Sequence, residues 1–227
     1  MANNYTAHPL AAPLTAHPCF ALLTTKQQER LLATVRPFLF QAEEPVLTEG
    51  QPAAGIWWIE SGAAKIYKAN ADGGEQILHI AGSGETFNDV AVYDRGGNPA
   101  NVTALTPAKI WLLPADVIHA FLDENNAFAQ AVIRSMARRV RAFTRQIEDL
   151  TLYSVTARLA RFLLQEADNP AFVEAGVTRK AIAAYLATTP ETVSRTLRLL
   201  QEAGAIRFDR YRILIVNPTL LHTIGQV

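Results

Sequence analysis

The chain has 227 residues, 49% of them hydrophobic and 19% charged, which is enough apolar material for one large or two modest packed domains and excludes wholesale disorder. Twenty-one Lys/Arg balance 21 Asp/Glu, and a single cysteine, Cys19, excludes an intramolecular disulfide framework and a zinc or iron–sulfur site held by several cysteines of one chain. No apolar run approaches the roughly 18 residues that span a bilayer, and MANNYTAHPLAAPL lacks the basic start and apolar block of a secretory signal, so a cytoplasmic protein with no membrane partner is expected.

Residues 1–20 are rich in Ala, Pro and Thr and carry TAHP twice, at Thr6–Pro9 and Thr15–Pro18. Three prolines argue against a regular element, and the segment reads as a flexible tail. From about Leu39 to Leu113, short strands alternate with turn signals. WWIES runs to Gly62, AAKIYKA into NADGG, EQILHIA into GSGE, and VTAL and KIWLLP follow. Such spacing predicts a β-roll or jelly roll.

After Pro114 the period changes. Phe128, Val132, Met136, Val140, Phe143, Ile147 and Leu150 recur at steps of three or four, a seam over about six helical turns. Arg134, Arg138, Arg139, Arg141 and Arg145 occupy the other faces. So narrow a stripe on so long a helix suits pairing with a second copy, through Val132, Met136, Val140, Phe143 and Ile147. The plainer alternative is a helix packed on its own domain. Ser154 then stands where an N-cap opens VTARLARFLLQEA, which ends near Asp168-Asn169-Pro170.

Residues 178–203 read TRKAIAAYLATTPETVSRTLRLLQEA. Thr178 is placed to cap a short helix that buries Ile182 and Leu186, and Ala187-Thr188-Thr189 breaks it. Thr189 is a fitting second cap, with Pro190 at the first helical position, where its missing N–H costs nothing. On that second helix Val193, Leu197 and Leu200 form the apolar stripe, and Glu191, Ser194, Arg195 and Arg198 the polar one. Beyond it IRFDRYRILIV alternates like two strands around a basic turn with Arg210 and Arg212. The pattern is a winged helix-turn-helix. Arginine grips guanine O6 and N7 in a bidentate pair, a carboxylate accepts from cytosine N4, and hydroxyls and further arginines suit phosphates. A solvated helix face with an Arg–Glu pair is the bland reading of the same stripe.

Charge divides in step with this pattern. Residues 1–133 hold 7 Lys/Arg against 13 Asp/Glu, and residues 134–227 hold 14 against 8, so an acidic front of −6 joins a basic back of +6. The sequence holds no H-E-x-x-H, G-x-S-x-G or P-loop arrangement, so an enzyme is not expected.

Over residues 20–217 the sequence resembles the CRP/FNR family of bacterial transcription regulators. The resemblance rests on Gly50, Gly62 and Gly84, GETFNDV (84–90), MARRV (136–140) leading into SVTARLARFLL (154–164), and PETVSR (190–195). It implies an α+β chain: a tail (1–20), a cyclic-nucleotide-binding-like β-roll sensor (21–125), a dimerisation helix (126–151) and a winged helix-turn-helix (152–227). It further implies a homodimer on double-stranded promoter DNA, with RNA polymerase as a partner. Thr178, Thr189, Pro190, Glu191, Ser194, Arg195 and Arg198 are the expected DNA-binding residues. The E-x-x-S-R of residues 191–195 matches the FNR/DNR branch and implies TTGAT-like half-sites in inverted repeat. Ala187 replaces the glycine usual in the family's turn. The alternative is a roll that regulates a protein partner without specific DNA binding.

The same resemblance locates a pocket for a small effector among His79, Gly84, Glu85, Asn88, Asp89, Asn98, Pro99, Ala100, Phe143 and Thr144. Cyclic AMP is disfavoured as that effector, because Asn98-Pro99-Ala100 stands where cAMP-binding members place a phosphate-binding Arg-Ser pair. Arg95 is the one nearby substitute. A cysteine-held iron–sulfur cluster is excluded. Similarity to the haem-dependent nitric oxide sensors of the DNR group makes haem a candidate cofactor, with His8, His17 or His79 on iron. A satisfied polar residue is the plainer reading of each histidine. The segment Asp149–Ser154 is the expected hinge.

Overall fold

The computed structural model describes residues 8–166, 178–209 and 212–226. The expected end of the helix at 168–170 and Arg210 of the wing lie outside them. Two compact units divide the chain: residues 1–64 with 83–142, and residues 65–82 with 143–227.

In chain order the elements begin with α1 (Ala11–Ala16), α2 (Thr25–Leu32), β1 (Arg36–Phe40), β2 (Pro45–Leu47), β3 (Gly55–Ser61), β4 (Ala64–Ala69) and β5 (Glu75–Ala81). Then come β6 (Thr86–Phe87), α3 (Asp89–Tyr93), β7 (Asn101–Ala104), β8 (Ala108–Pro114), α4 (Ala115–Glu124) and the 27-residue α5 (Asn126–Leu152). The remainder is α6 (Val155–Glu166), α7 (Arg179–Tyr185), α8 (Pro190–Glu202), β9 (Ile206–Phe208), β10 (Ile213–Ile215) and α9 (Pro218–Ile224).

In the first unit an antiparallel sheet runs β1-β8-β3-β6, and β2 pairs with β7. Side chains alternate across the long β3–β8 ladder. Ile56 and Trp58 of β3 join Trp111 and Leu113 of β8 in a core that also takes Leu31 of α2, Phe121 of α4, and Phe128, Ala131 and Val132 of α5. Trp57, one step out of phase, stacks on Phe87 with ring centroids 6.4 Å apart and meets Phe38 at 5.3 Å. Gly62 turns the chain out of β3 at φ +87°, and a Cβ there would lie 2.5 Å from the Pro107 carbonyl oxygen, so no other residue fits without backbone movement.

The amino-terminal segment departs from the flexible tail expected of it. Leu10 and Leu14 are fully buried, and with Ala11, Cys19, Phe20 and Leu23 they join the core around Trp58 and Trp111. The three prolines do not prevent this. Pro9 precedes α1, Pro18 follows it, and Pro13 falls in the first turn, whose N–H groups have no intrahelical acceptor.

The second unit contains the β4–β5 hairpin, closed by Asn70 Oδ1 accepting the Gly74 N–H at 2.6 Å, and the C-terminal helices. Gln76 of β5 donates to the Tyr185 carbonyl of α7 at 3.1 Å. Leu159, Phe162 and Leu163 of α6 pack with Ile182, Leu186, Val193, Leu197, Leu200, Ile206 and Leu221.

Because Leu14 has no exposed surface, Leu14→Ala is expected to destabilise the protein by about 2–5 kcal/mol in urea unfolding, where a flexible tail would give no change.

Candidate nucleic-acid interface

The helix-turn-helix is built from caps. Thr178 Oγ1 accepts the Ala181 N–H at 3.2 Å and Thr189 Oγ1 accepts the Thr192 N–H at 3.2 Å, with Pro190 opening α8. Val193, Leu197 and Leu200 are buried, while Glu191, Arg195 and Arg198 are exposed on the other side of α8. Ser194 lies between them, half-buried, its hydroxyl donating to the Pro190 carbonyl at 2.9 Å. The Glu191 carboxyl is held below the usual carboxylate range by its own backbone N–H and by Thr189, so it is an acceptor at neutral pH. Ala187 has φ +49°, the left-handed conformation that glycine adopts without strain.

Two contacts here were not legible in the sequence. Gln201 Oε1 accepts the Phe208 N–H at 3.1 Å, tying α8 to β9 of the wing, and the Arg179 guanidinium lies over the Phe208 ring at 5.6 Å. At the expected hinge, Ser154 caps α6 through the Ala157 N–H at 3.2 Å. Arg161 lies 2.9 Å from Asp149, stacks over Tyr153 at 4.3 Å and donates to the Gly225 carbonyl at 3.3 Å. Burial raises the Asp149 carboxyl above its ordinary value, and Arg161 opposes that shift.

Along α5 the predicted seam divides in two. Val132 is buried in the first unit's own core, and Met136 packs partly against it, so Val132 is not available to a partner. Ile133, which sequence reasoning passed over, is 67% exposed, with Val140, Phe143 and Ile147 at 63%, 45% and 63%. Ile133, Met136, Val140, Phe143, Ile147 and Leu150 follow alternating steps of three and four, a heptad whose phase one residue's shift had hidden.

Among the expected effector residues, Asn88 and Asn98 bond to each other and Asp89 to an arginine of α5. Asn88, at φ +63°, donates to the Gly55 carbonyl and to Asn98 Oδ1 at 2.9 Å, and Asn98 donates to the Thr48 carbonyl at 3.1 Å. Asp89, 5% exposed, is paired with Arg139 of α5, a partner that sequence reasoning left among the solvent-facing arginines. Gly84 donates its N–H to the Ile59 carbonyl, Glu85 accepts from the Ile59 N–H, and Ala100 is buried. Pro99, Phe143, Thr144 and Arg95 are exposed, and so is His79, although it shares its face of β5 with the buried Ile77 and Ala81.

Residues 37–125 match the family described as the cyclic nucleotide-binding domain, and residues 157–224 match the Crp-like helix-turn-helix domain. The chain belongs to the CRP/FNR family of transcription regulators. It is 27% identical over 198 residues to the CRP-like cAMP-activated global transcriptional regulator of Mycobacterium tuberculosis, covering 84% of this chain and 88% of that protein. It is 28% identical over 174 residues to a probable transcriptional regulator, flp, of Lacticaseibacillus casei, covering 76% and 80%. The structure of FixK2 from Bradyrhizobium japonicum superposes with a TM-score of 0.76 at 24% identity, covering 84% of this chain and 97% of that one. As a CRP/FNR-family member the chain is a DNA-binding regulator and not an enzyme.

Two ligands can be weighed against these residues: cyclic AMP, disfavoured from the sequence, and haem, the candidate cofactor. A cyclic phosphate needs a cation; residues 98–100 supply none and Arg139 is engaged with Asp89, which leaves the exposed Arg95 as the nearby candidate. Haem iron needs an imidazole lone pair directed at it. The Nδ1 atoms of His8 and His17 each accept a backbone N–H, which leaves the neutral ring's proton on Nε2, so neither ring is set to ligate as it stands. Among the described residues no group of three or more His, Cys, Asp and Glu is placed to hold a metal ion, and no helix is long and apolar enough to cross a membrane.

Ala187→Gly should relieve the turn and raise stability by about 0.5–1 kcal/mol, read as a higher urea midpoint at unchanged slope.

Proposed function

We propose that the chain acts in the cytoplasm as a homodimer that reads promoter DNA with TTGAT-like half-sites in inverted repeat. The exposed Glu191–Arg195–Arg198 face of α8 carries this reading. Arg195 donates two hydrogen bonds to guanine O6 and N7, and the ionised Glu191 accepts from cytosine N4 on the other strand. Thr178, Thr189 and Arg198 hold phosphates, which fix register without reading sequence. Ser194 acts mainly by tightening the first turn of α8.

The exposed heptad from Ile133 to Ile147 supports a two-stranded coiled coil between protomers. A small effector or redox signal received in the roll would favour the DNA-competent arrangement by binding it better than the other, with Asp149–Ser154 as the hinge and RNA polymerase as the downstream partner. The M. tuberculosis relative is described as cAMP-activated. For this chain, the absence of an arginine within residues 98–100 and the Asp89–Arg139 pair support a different effector.

Fluorescence anisotropy with a palindromic and a scrambled duplex, across a salt series, tests the reading. The palindrome should bind tighter, cyclic AMP should leave that preference unchanged, and Arg195→Ala should lower discrimination at the guanine by about 1–3 kcal/mol. Equal, weak binding to both duplexes by wild type, with and without candidate effectors, would overturn it in favour of a protein-partner role.

A further inference from the structure

The repeated TAHP has the same local structure at both described histidines. At the first, His8 Nδ1 accepts the Leu10 N–H at 3.1 Å. At the second, His17 Nδ1 accepts the Cys19 N–H at 3.2 Å and the Phe20 N–H at 3.4 Å. The proline after each histidine has no N–H, so the amide two residues on is the first that can reach the ring, and the imidazole acts as the side-chain acceptor of an Asx-type turn. Each ring also packs on a tryptophan of the sheet. His8 lies 4.9 Å from Trp111, and His17 lies 5.4 Å from Trp58 and 4.8 Å from Phe20. Leu10, Leu14, Cys19 and Phe20 are buried around these two points.

We propose that residues 8–23 form a pH-responsive strap, pinned to the β3–β8 face by two neutral imidazoles and loosened when those rings take up a proton. A protonated Nδ1 is a donor facing a donor, so the turn loses its hydrogen bond and gains a repulsion. Cys19 moves with the strap. Its thiol is kept neutral by burial, and Cys19 lies in the same core as Phe128, Ala131 and Val132 of α5, so release of His17 reaches the long helix.

The charges around the rings do not cancel this. His8 faces Glu60 of β3 and Lys109 of β8, which pair with each other at 3.0 Å, and Glu60 also accepts from Trp111 Nε1. His17 faces Asp89 of α3, which Arg139 already holds, while Arg134 and Arg138 of α5 act on neighbouring Cys19. Burial is the largest influence on both imidazoles and lowers each from the ordinary 6.5. A folded value below the unfolded one means the pinned strap is fully stable above that pH and loses stability as pH falls through the window beneath it.

Amide hydrogen exchange by NMR tests the strap, with each rate corrected for its intrinsic pH dependence. From pH 7.5 to 5.5, protection at Leu10 and Cys19 should fall about fivefold or more, while that at Ile59 and Ile110 in β3 and β8 holds. The double variant His8→Asn/His17→Asn places an amide oxygen near each Nδ1 position and cannot titrate, so its protection should stay level across the range. Long-range 1H–15N correlations at pH 7.5 should show both rings protonated on Nε2. Unchanged protection in wild type, an equal loss in the Asn variant, or a proton on Nδ1 would overturn the proposal. None of these readouts depends on DNA binding.

Discussion

Helix α5 must satisfy two environments with one rod. Near its start Phe128, Ala131 and Val132 are fixed in the first unit's core, while Ile133, the very next residue, is two-thirds exposed and begins the heptad that continues through Val140 and Ile147. Consecutive helical residues point about 100° apart, so adjacent positions can serve different surfaces without any bend. The cost is a strip of apolar side chains that a single protomer leaves in water. In the proposed homodimer a second copy covers that strip.

The C-terminal half relies on short, local devices. Three hydroxyl caps, at Ser154, Thr178 and Thr189, begin α6, α7 and α8. Arg161 joins the end of α5, the Tyr153 ring, α6 and the end of α9, so four segments share one side chain. The pocket side uses a different economy. There Asn88 pairs with Asn98 and Asp89 with Arg139, and a ligand would have to offer better partners than they already have.

Features written as periodicity or local chemistry were legible in the sequence. Capping residues, the proline at the start of α8, the turn at Gly62 and the stripe of Glu191, Arg195 and Arg198 all announce themselves within a few positions. Features that need distant residues were not. The prolines of residues 1–20 suggest a flexible tail only while their phase relative to α1 is hidden, and nothing in the sequence near Leu10 and Leu14 says what covers them. The α5 seam was read one residue out of phase at Val132 because both Val132 and Ile133 are apolar, and only their burial separates them. Arg139 looked solvent-facing because its partner, Asp89, lies 50 positions earlier. His79 is exposed although its face of β5 also carries the buried Ile77 and Ala81, because alternation fixes which residues share a face and not how far along the strand that face is covered.

On α8 the residues that hold the fold and those that face outward are disjoint. Val193, Leu197 and Leu200 are buried, and Glu191, Arg195 and Arg198 make no packed contribution to that core. Mutational drift can therefore rewrite the outward set at little thermodynamic risk. If the outward set reads DNA as proposed, duplicated copies of such a gene would be free to diverge in operator preference long before they diverge in architecture. A lineage of regulators built on this scaffold should then be heterogeneous in the promoters it recognises and uniform in the helix that recognises them.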